Sequence, residues 1–206
     1  MPQTPCPRAA LRRALAERRR QLPPAERLAA GAAVAALLSP LALLTEARRV
    51  AIYWSVRGEL PLLMLTRELL ARDQAIYLPI VQDDGSLRFG AWRPGAALTG
   101  NRFGIPEPEL AAEVTLSGAE LDLVLVPLLA FDRQGHRLGS GAGYYDRSFA
   151  FLRERPRPSR PLLLGVAYAW QEQPSLPAEP WDVTLDAIVC EHELITVHKE
   201  PWARHR

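Results

Sequence analysis

The segment DLVLVPLLAF, residues 122–131, decides the fold class that this sequence predicts. After Asp122 every residue in the segment is apolar, so a strand formed by it must be covered on both faces. Strands of this kind lie at the centre of parallel sheets, because the helices that connect parallel strands pack on both faces of the sheet. The segment therefore predicts the central strand of an α/β domain.

The segments on either side alternate between strand and helix patterns. Further strands are predicted for RVAIYW (49–54), AIYLPIV (75–81), LRFGAW (87–92), PLLLGVAY (161–168) and DAIVC (186–190). Helical periodicity predicts helices over residues 8–21, 24–38, 61–73 and 144–155, with Pro61 in the first turn of the third. The turn DDGS joins AIYLPIV to LRFGAW as a hairpin. We expect a single domain over residues 1–206, with an open, mostly parallel sheet that can be mixed and helices on both faces.

Charge is nearly balanced over the chain but uneven at its start. The 206 residues include 25 Lys and Arg and 23 Asp and Glu, a net charge of +2. Six of the first twenty residues are arginines: Arg8, Arg12, Arg13, Arg18, Arg19 and Arg20. Such a cluster favours an anionic ligand. The main alternative class, a protein that binds single-stranded nucleic acid, needs positive charge over a whole face. The balanced total disfavours that class, and we expect no nucleic-acid partner.

Cysteine and hydropathy patterns bear on cellular location. Cys6 and Cys190 are isolated from each other and form no C-x-x-C pair, as expected for a reducing compartment. No apolar run reaches the length of a membrane span, and the first residues lack the apolar core of a secretory signal. Their arginine-rich character leaves a mitochondrial transit peptide as the less favoured alternative. We expect a cytoplasmic monomer with no membrane contact.

A glycine-rich loop follows the central segment. RLGSGAGYYDR, residues 137–147, has glycine at positions 139, 141 and 143, between a buried strand and a predicted helix. Glycines let the backbone turn sharply and approach a ligand, and amides at the start of a helix favour an anion. The loop is not a P-loop, since it lacks Gly-Lys-Ser/Thr, and Tyr144 stands where the dinucleotide fingerprint needs glycine. From the glycines alone, a tight turn and a phosphate cradle are equally favoured.

The charged residues of the loop shift the balance towards the phosphate cradle. Asp146 is a hard oxygen donor suited to Mg²⁺, and Arg137 and Arg147 can balance phosphate charge. Each has an ordinary alternative, because Asp146 also suits the first turn of a helix and Arg147 a solvated surface. Their occurrence together favours a site for a phosphorylated ligand.

The whole stretch LVLVPLLAFDRQGHRLGSGAGYYDR closely resembles the signature of the 5-formyltetrahydrofolate cyclo-ligases, also called 5,10-methenyltetrahydrofolate synthetases, whose usual form is PxxAFDxxGxRLGxGxGYYDR. The segments YWSVRGEL, NRFGIPEP and LPAEPWDVTLDAIV extend the resemblance over most of the chain. It implies ATP- and Mg²⁺-dependent closure of 5-formyltetrahydrofolate to 5,10-methenyltetrahydrofolate, with release of ADP and phosphate. A different ATP-dependent kinase or ligase would keep the glycine loop and lose the dependence on folate.

The resemblance also implies roles for individual residues. Contacts to ATP are implied for Arg8, Arg12, Arg137, Leu138, Gly139, Ser140, Gly141, Ala142, Gly143, Tyr144 and Tyr145. Arg8 departs from the lysine usual in the family, which replaces a point charge by a planar fork. Of these residues, Arg137 and Tyr144 are also expected to take part in catalysis, together with Asp146. Asp146 is the implied Mg²⁺ ligand and Asp182 is the second candidate, with Asp186 as the alternative residue that could complete the metal site.

For the folate, the resemblance implies that Glu59 binds the pterin and that Trp54 and Tyr144 form walls of the pocket. One carboxylate can accept two hydrogen bonds from the pterin amino and ring N–H groups. From the residues alone, RGELP favours another interpretation, in which Glu59 lies at the start of a helix and acts only on its dipole. Trp92, Phe103 and Glu107 fit pocket residues and loop packing equally well.

Overall fold

The computed structural model describes residues 7–109 and 114–198. The helices are α1 (Pro7–Gln21), α2 (Pro24–Leu38), α3 (Ala42–Glu46), α4 (Leu63–Ala71) and α5 (Tyr144–Ser148). The strands are β1 (Arg49–Ala51), β2 (Ala75–Val81), β3 (Leu87–Trp92), β4 (Leu98–Gly100), β5 (Pro106–Pro108), β6 (Leu123–Pro127), β7 (Ala130–Phe131), β8 (Arg137–Leu138), β9 (Leu162–Val166), β10 (Ala187–Val189) and β11 (Leu194–Thr196). None of the described helices is long and apolar enough to cross a membrane.

Seven strands form one sheet in the order β11-β10-β9-β6-β1-β2-β3. The five inner strands are parallel, and each edge adds one antiparallel strand: β3 on β2 and β11 on β10. β6 lies at the centre, with Leu123 opposite Leu162 of β9 and Val50 of β1. The predicted mostly parallel, mixed α/β sheet with helices on both faces is confirmed.

Alternate residues of the central strand enter two different cores. Leu123 and Leu125 pack into the cluster that covers one face and includes α2, α3 and α4. Val124 and Val126 point to the opposite face and pack with Phe149 and other residues of the chain after α5. Both faces of β6 are buried because side chains alternate along a strand and each face has its own cover.

The central apolar run is nevertheless not one strand. β6 ends at Pro127, and Ala130–Phe131 pairs with Arg137–Leu138 as a separate two-stranded ribbon. The prediction of a single strand to residue 131 is therefore wrong at its carboxyl end. Leu128 and Leu129 are still buried. The apolar run therefore predicts burial correctly, but it does not distinguish a strand of the main sheet from a buried two-stranded ribbon.

Other boundaries also differ from the predictions. β1 stops at Ala51, three residues before the predicted end. α4 begins at Leu63, so Pro61 lies before the helix and not in its first turn. The helix predicted over residues 144–155 is split into α5 and a 3₁₀ helix, Ala150–Glu154. The sequence reasoning also missed α3, the β4–β5 hairpin and β11, which are only three to five residues long and carry little periodic signal.

Candidate active site

A cavity of about 860 Å³ opens where the parallel strands end. Its wall includes Tyr53 and Trp54, which follow β1, and Leu128, which follows β6. The carboxyl edge of a parallel sheet is the usual ligand site of open α/β folds. α1, the glycine loop and the chain after β4 also line the cavity, so these five segments, far apart in the sequence, converge on it.

Most of the predicted site residues line this one cavity. They are Arg8, Arg12, Trp54, Glu59, Phe103, Glu107, Arg137, Gly139, Ser140, Gly141, Ala142, Gly143, Tyr144, Tyr145, Asp146 and Asp182. Leu138 does not line it, because its side chain is buried against Leu129 and Leu15 in the core beneath α1. Trp92 lies behind Trp54, with the two ring centroids 6.0 Å apart in an edge-to-face contact.

The glycine loop joins β8 to α5. Gly141 and Gly143 have φ values of +107° and +72°, backbone conformations that favour glycine. The loop is held from both sides, since Arg12 Nε donates to the Gly139 carbonyl at 3.1 Å and Arg147 Nη2 to the Ala142 carbonyl at 2.6 Å. α5 has only five residues, so its dipole is small. The guanidinium groups, more than the helix end, make this part of the cavity positive.

Asp146 is fixed by two hydrogen bonds to one of its oxygens. Oδ1 accepts from Arg137 Nη2 at 2.6 Å and from the Val183 amide at 3.1 Å. Arg137 Nη1 donates in turn to the Val183 carbonyl. The three residues form a closed set of contacts that ties the glycine-loop segment to the chain before β10. As a result Asp182, the neighbour of Val183, faces the same cavity.

Asp182 and Asp186 have different surroundings. Asp182 Oδ2 accepts from Arg8 Nη2 at 3.1 Å and from the Glu179 amide at 2.9 Å, and its side chain lines the cavity. Asp186 is fully buried and accepts from Arg157 and from the amide of Leu163 in β9. Burial raises the pKa of the Asp186 carboxyl. Asp182, and not Asp186, is therefore the carboxylate available to a ligand in the cavity.

The donor set fits a magnesium ion shared with phosphate groups. Within residues 7–109 and 114–198, no group of three His, Cys, Asp or Glu side chains is placed to hold a metal by itself. Asp146 and Asp182 each keep one carboxylate oxygen that accepts no hydrogen bond from the described part of the chain. Mg²⁺ is commonly bound by one or two carboxylates together with substrate phosphates and water. Asp146 and Asp182, each with one carboxylate oxygen left for a ligand and with arginines nearby, match that pattern.

One face of α1 supplies three cations to the cavity: Arg8, Arg12 and Arg19. The sequence reasoning selected the first two and missed Arg19, although it follows Arg12 by seven residues, close to two helical turns. Arg19 is buried, and its guanidinium donates to the Leu128 carbonyl at 3.2 Å. Helical spacing carried far enough along α1 would have found this residue.

Glu59 ends a turn that starts at Val56, and it lies in the cavity wall. Its Oε2 accepts from the Val56 amide at 3.1 Å, and its Oε1 is 3.5 Å from Arg19 Nη2. Burial raises the pKa of Glu59, and the nearby Arg19 guanidinium opposes that rise. α4 begins four residues later and Leu62 precedes it, so the interpretation of Glu59 as a residue at the start of that helix is wrong.

Aromatic side chains form two further parts of the wall. Trp54 is 37% exposed, and Tyr144 packs edge-to-face on Phe103 with ring centroids 6.0 Å apart. The Tyr144 hydroxyl accepts from Arg102 Nη2 at 2.7 Å. Arg102, which the sequence reasoning did not select, therefore helps to orient Tyr144. Trp181, also missed, lines the cavity with 60% of its surface exposed.

Glu107 is a buried carboxylate in the wall. Its Oε1 accepts from Asn101 Nδ2 at 2.7 Å and from the Val81 amide at 3.0 Å. The side chain of Asn101 also accepts from the Phe103 and Ile105 amides, which shapes the β4–β5 hairpin. These contacts give Glu107 a structural task in holding the hairpin against β2.

Known proteins share both the sequence and the fold of this chain. The model of the 5-formyltetrahydrofolate cyclo-ligase family matches residues 6–191. The 5-formyltetrahydrofolate cyclo-ligase of Escherichia coli K12 is 34% identical over 84% of this chain and 94% of that protein. The enzyme of that name from Haemophilus influenzae is 35% identical over 68% of this chain and 74% of its own length. The solved structure of Aquifex aeolicus 5,10-methenyltetrahydrofolate synthetase superposes with a TM-score of 0.79, covers 96% of both chains and is 29% identical.

Proposed function

The chain belongs to the 5-formyltetrahydrofolate cyclo-ligase family, and we propose that its cavity binds ATP and Mg²⁺ beside the folate to close the folate ring. It is an enzyme that converts 5-formyltetrahydrofolate to 5,10-methenyltetrahydrofolate. The observation that carries the proposal is that one cavity is lined both by the arginine-bound glycine loop with Asp146 and by Glu59 with the aromatic Trp54 and Tyr144. Phosphate-binding and pterin-binding chemistry therefore meet in one place.

The reaction explains why such a site needs no protein nucleophile. An N-formyl group is amide-like and a poor electrophile, so the formyl oxygen first attacks the γ-phosphate of ATP and ADP leaves. The resulting imidate phosphate is attacked at the formyl carbon by N10 of the folate. N10 loses its proton, the C–O bond breaks, and phosphate departs as the methenyl bridge forms. Phosphoryl transfer of this kind depends on positioning and charge neutralisation.

The phosphates of ATP are proposed to lie along the glycine loop. Arg8 and Arg12 line that part of the cavity from α1, together with residues 139–143 of the glycine loop. When bound, Mg²⁺ would offset phosphate charge, and Asp146 and Asp182 would hold it. Arg137 is predicted to contact phosphate, and its contacts with Asp146 and Val183 give it a second proposed role in fixing the Asp146 carboxylate.

The folate is proposed to bind with its pterin on Glu59. An ionised Glu59 accepts hydrogen bonds from the pterin amino and ring N–H groups. Trp54 and Tyr144 supply apolar surfaces on either side of the ring system. The chain is further proposed to act as a cytoplasmic monomer without nucleic-acid or membrane partners.

Absorbance of 5,10-methenyltetrahydrofolate tests the proposal directly. Product is expected only when the protein, 5-formyltetrahydrofolate, ATP and Mg²⁺ are all present, with one ADP released per methenyl group formed. Leaving out each component in turn supplies the controls. Turnover at the same rate without ATP would overturn the phosphorylation mechanism, and ADP release that is independent of folate would identify a different ATP-dependent enzyme.

A further inference from the structure

Arg19 is a buried cation that contacts both the turn carrying Glu59 and the chain after β6. Its side chain is 9% exposed, Nε donates to the Arg57 carbonyl at 3.3 Å, and Nη1 donates to the Leu128 carbonyl at 3.2 Å. Nη2 lies 3.5 Å from Glu59 Oε1. Burial lowers the pKa of Arg19, but a guanidinium stays charged at neutral pH. A buried charge must be compensated, and the Glu59 carboxylate compensates this one.

The turn that carries Glu59 has a conformation that needs outside support. The Glu59 amide donates to the Val56 carbonyl at 2.9 Å, and both central residues, Arg57 and Gly58, have positive φ, +52° and +79°. Positive φ is unfavourable for arginine, so the hydrogen bond from Arg19 to the Arg57 carbonyl stabilises a strained position. A Cβ at residue 58 would lie 2.3 Å from the Arg19 carbonyl. The turn is thus packed directly on the backbone of α1.

Glu59 is set in surroundings that would otherwise favour its neutral form. Burial raises the pKa of the Glu59 carboxyl, and the opposing influences are Arg19, the Val56 amide and Arg57. The other titratable groups facing it are the hydroxyls of Tyr53, Tyr145 and Tyr168. Burial raises the pKa of all three tyrosines, so they are neutral at physiological pH. Arg57 is exposed to solvent, which screens its charge. Arg19 is the buried cation that acts on Glu59.

We propose that Arg19 is a positioning residue for folate binding, which holds Glu59 ionised and aimed into the cavity. This inference rests on the proposed function, in which Glu59 accepts hydrogen bonds from the pterin. It also gives α1 two tasks: Arg8 and Arg12 face the nucleotide, and Arg19, on the same helical face, controls the folate site.

The test is the pH dependence of 5-formyltetrahydrofolate binding, measured by calorimetry without ATP between pH 5.5 and 8.5. Affinity of the unaltered protein is expected to fall on acidification as Glu59 takes up a proton. In R19M the midpoint of that fall should move up by about one to three pH units, because a close opposite charge shifts a pKa by that amount. R20M is the matched control, since Arg20 is exposed and pairs with Glu17 outside the cavity. It should keep the original midpoint.

Two further variants, E59Q and R19M/E59Q, distinguish a wrong role for Arg19 from a wrong role for Glu59. E59Q should bind folate weakly at every pH, and R19M/E59Q should bind no more weakly than E59Q. Unchanged folate affinity in E59Q would overturn the proposed role of Glu59 itself. Weak binding in E59Q with an unshifted midpoint in R19M, or an additive loss in the double variant, would overturn only the role of Arg19.

A measurement on the unaltered protein covers the case in which R19M does not fold. The ¹³C-carboxyl resonance of Glu59, assigned by comparison with E59Q, reports its protonation directly. We expect Glu59 to be ionised at pH 7.5 with Arg19 in place. A carboxyl that is still protonated at that pH would show that Arg19 does not keep it ionised, and would overturn the proposal.

Discussion

The guanidinium of Arg137 and the carboxylate of Asp146 form a 2.6 Å ion pair in the cavity wall, and both residues bind the backbone of Val183. The Arg137 side chain is 5% exposed and that of Asp146 is 24% exposed. The pair thus joins a buried cation to a carboxylate that still faces the cavity. Substitution of Asp146 will change both the charge offered to a ligand and the support of the Val183 segment.

D146N keeps the size of the side chain and an oxygen for the Val183 amide but removes the negative charge. We expect kcat to fall by at least about a hundredfold, because charge stabilisation through a bound metal is worth several kcal/mol. The Mg²⁺ concentration needed for half-maximal activity should rise. Steady-state assays across a Mg²⁺ titration measure both effects.

D83N is the control for D146N, since Asp83 is an exposed aspartate in the β2–β3 turn. It should match the unaltered protein in kcat and in Mg²⁺ dependence. If D146N also matched the unaltered protein at low Mg²⁺, Asp146 would be only a helix first-turn acid and a partner for Arg137.

The two later aspartates should respond in opposite ways to the same substitution. D182N removes a charge that faces the cavity, so activity should fall while the melting temperature changes little. D186N removes the counter-ion of buried Arg157, and breaking a buried pair costs about 3 to 5 kcal/mol. The folded fraction of D186N should keep its KM for ATP. Denaturant unfolding and steady-state kinetics on both variants check this, and the reverse pattern would assign the ligand role to Asp186.

The sheet was predictable from the sequence because each inner strand is a short apolar run followed by polar or helical sequence. The run at residues 75–81 predicted β2 with its true bounds, because an apolar run that ends at a DDGS turn is typical of the first strand of a hairpin. The ribbon of Ala130–Phe131 was not predictable, because apolar composition reports burial and not the identity of the pairing strand. The boundary between β6 and β7 is determined by the pairing of β7 with residues 137–138.

Within the site, the residues found from sequence are those in contiguous motifs. The loop from Arg137 to Asp146 lies in one segment, so its glycines and charges could be read together. Arg19 and Arg102 act across long sequence separations, on Glu59 and Tyr144, so no contiguous motif contains either arginine together with its partner. Helical spacing along α1 could have selected Arg19 as a cavity residue, but it could not have shown that Arg19 contacts Glu59. The choice between Asp182 and Asp186 likewise required the fold, because four residues separate a cavity wall from a buried ion pair.

Three of the five tyrosines should resist ionisation until the protein unfolds in alkali. Burial raises the pKa of Tyr53 and Tyr145, and raises the pKa of Tyr168 to about 12. In the unfolded chain tyrosine ionises near pH 10, so above that pH the unfolded state loses protons that the folded state keeps. The free energy of unfolding should therefore be unaffected by these groups below about pH 10 and fall as pH rises towards 12. Phenolate absorbance measures ionisation and circular dichroism measures unfolding, and the two are recorded together. Ionisation of all five tyrosines near pH 10 in the folded protein would contradict the burial of Tyr53, Tyr145 and Tyr168.

The two substrates should be separable at Glu59. E59Q keeps a hydrogen-bonding side chain of the same size but replaces one acceptor oxygen by a donor and removes the charge. Losing a charge-assisted hydrogen bond costs about 1.5 to 3 kcal/mol, so the Kd for 5-formyltetrahydrofolate should weaken by roughly ten- to a hundredfold. Binding of ATP should be nearly unchanged, because its proposed contacts are Arg8, Arg12 and the glycine loop.

E26Q, at an exposed position in α2, is the matched control for E59Q. Separate calorimetric titrations with each ligand decide the matter: equal losses for both would mean that E59Q disturbs the whole cavity, and no loss for folate would mean that the pterin binds elsewhere.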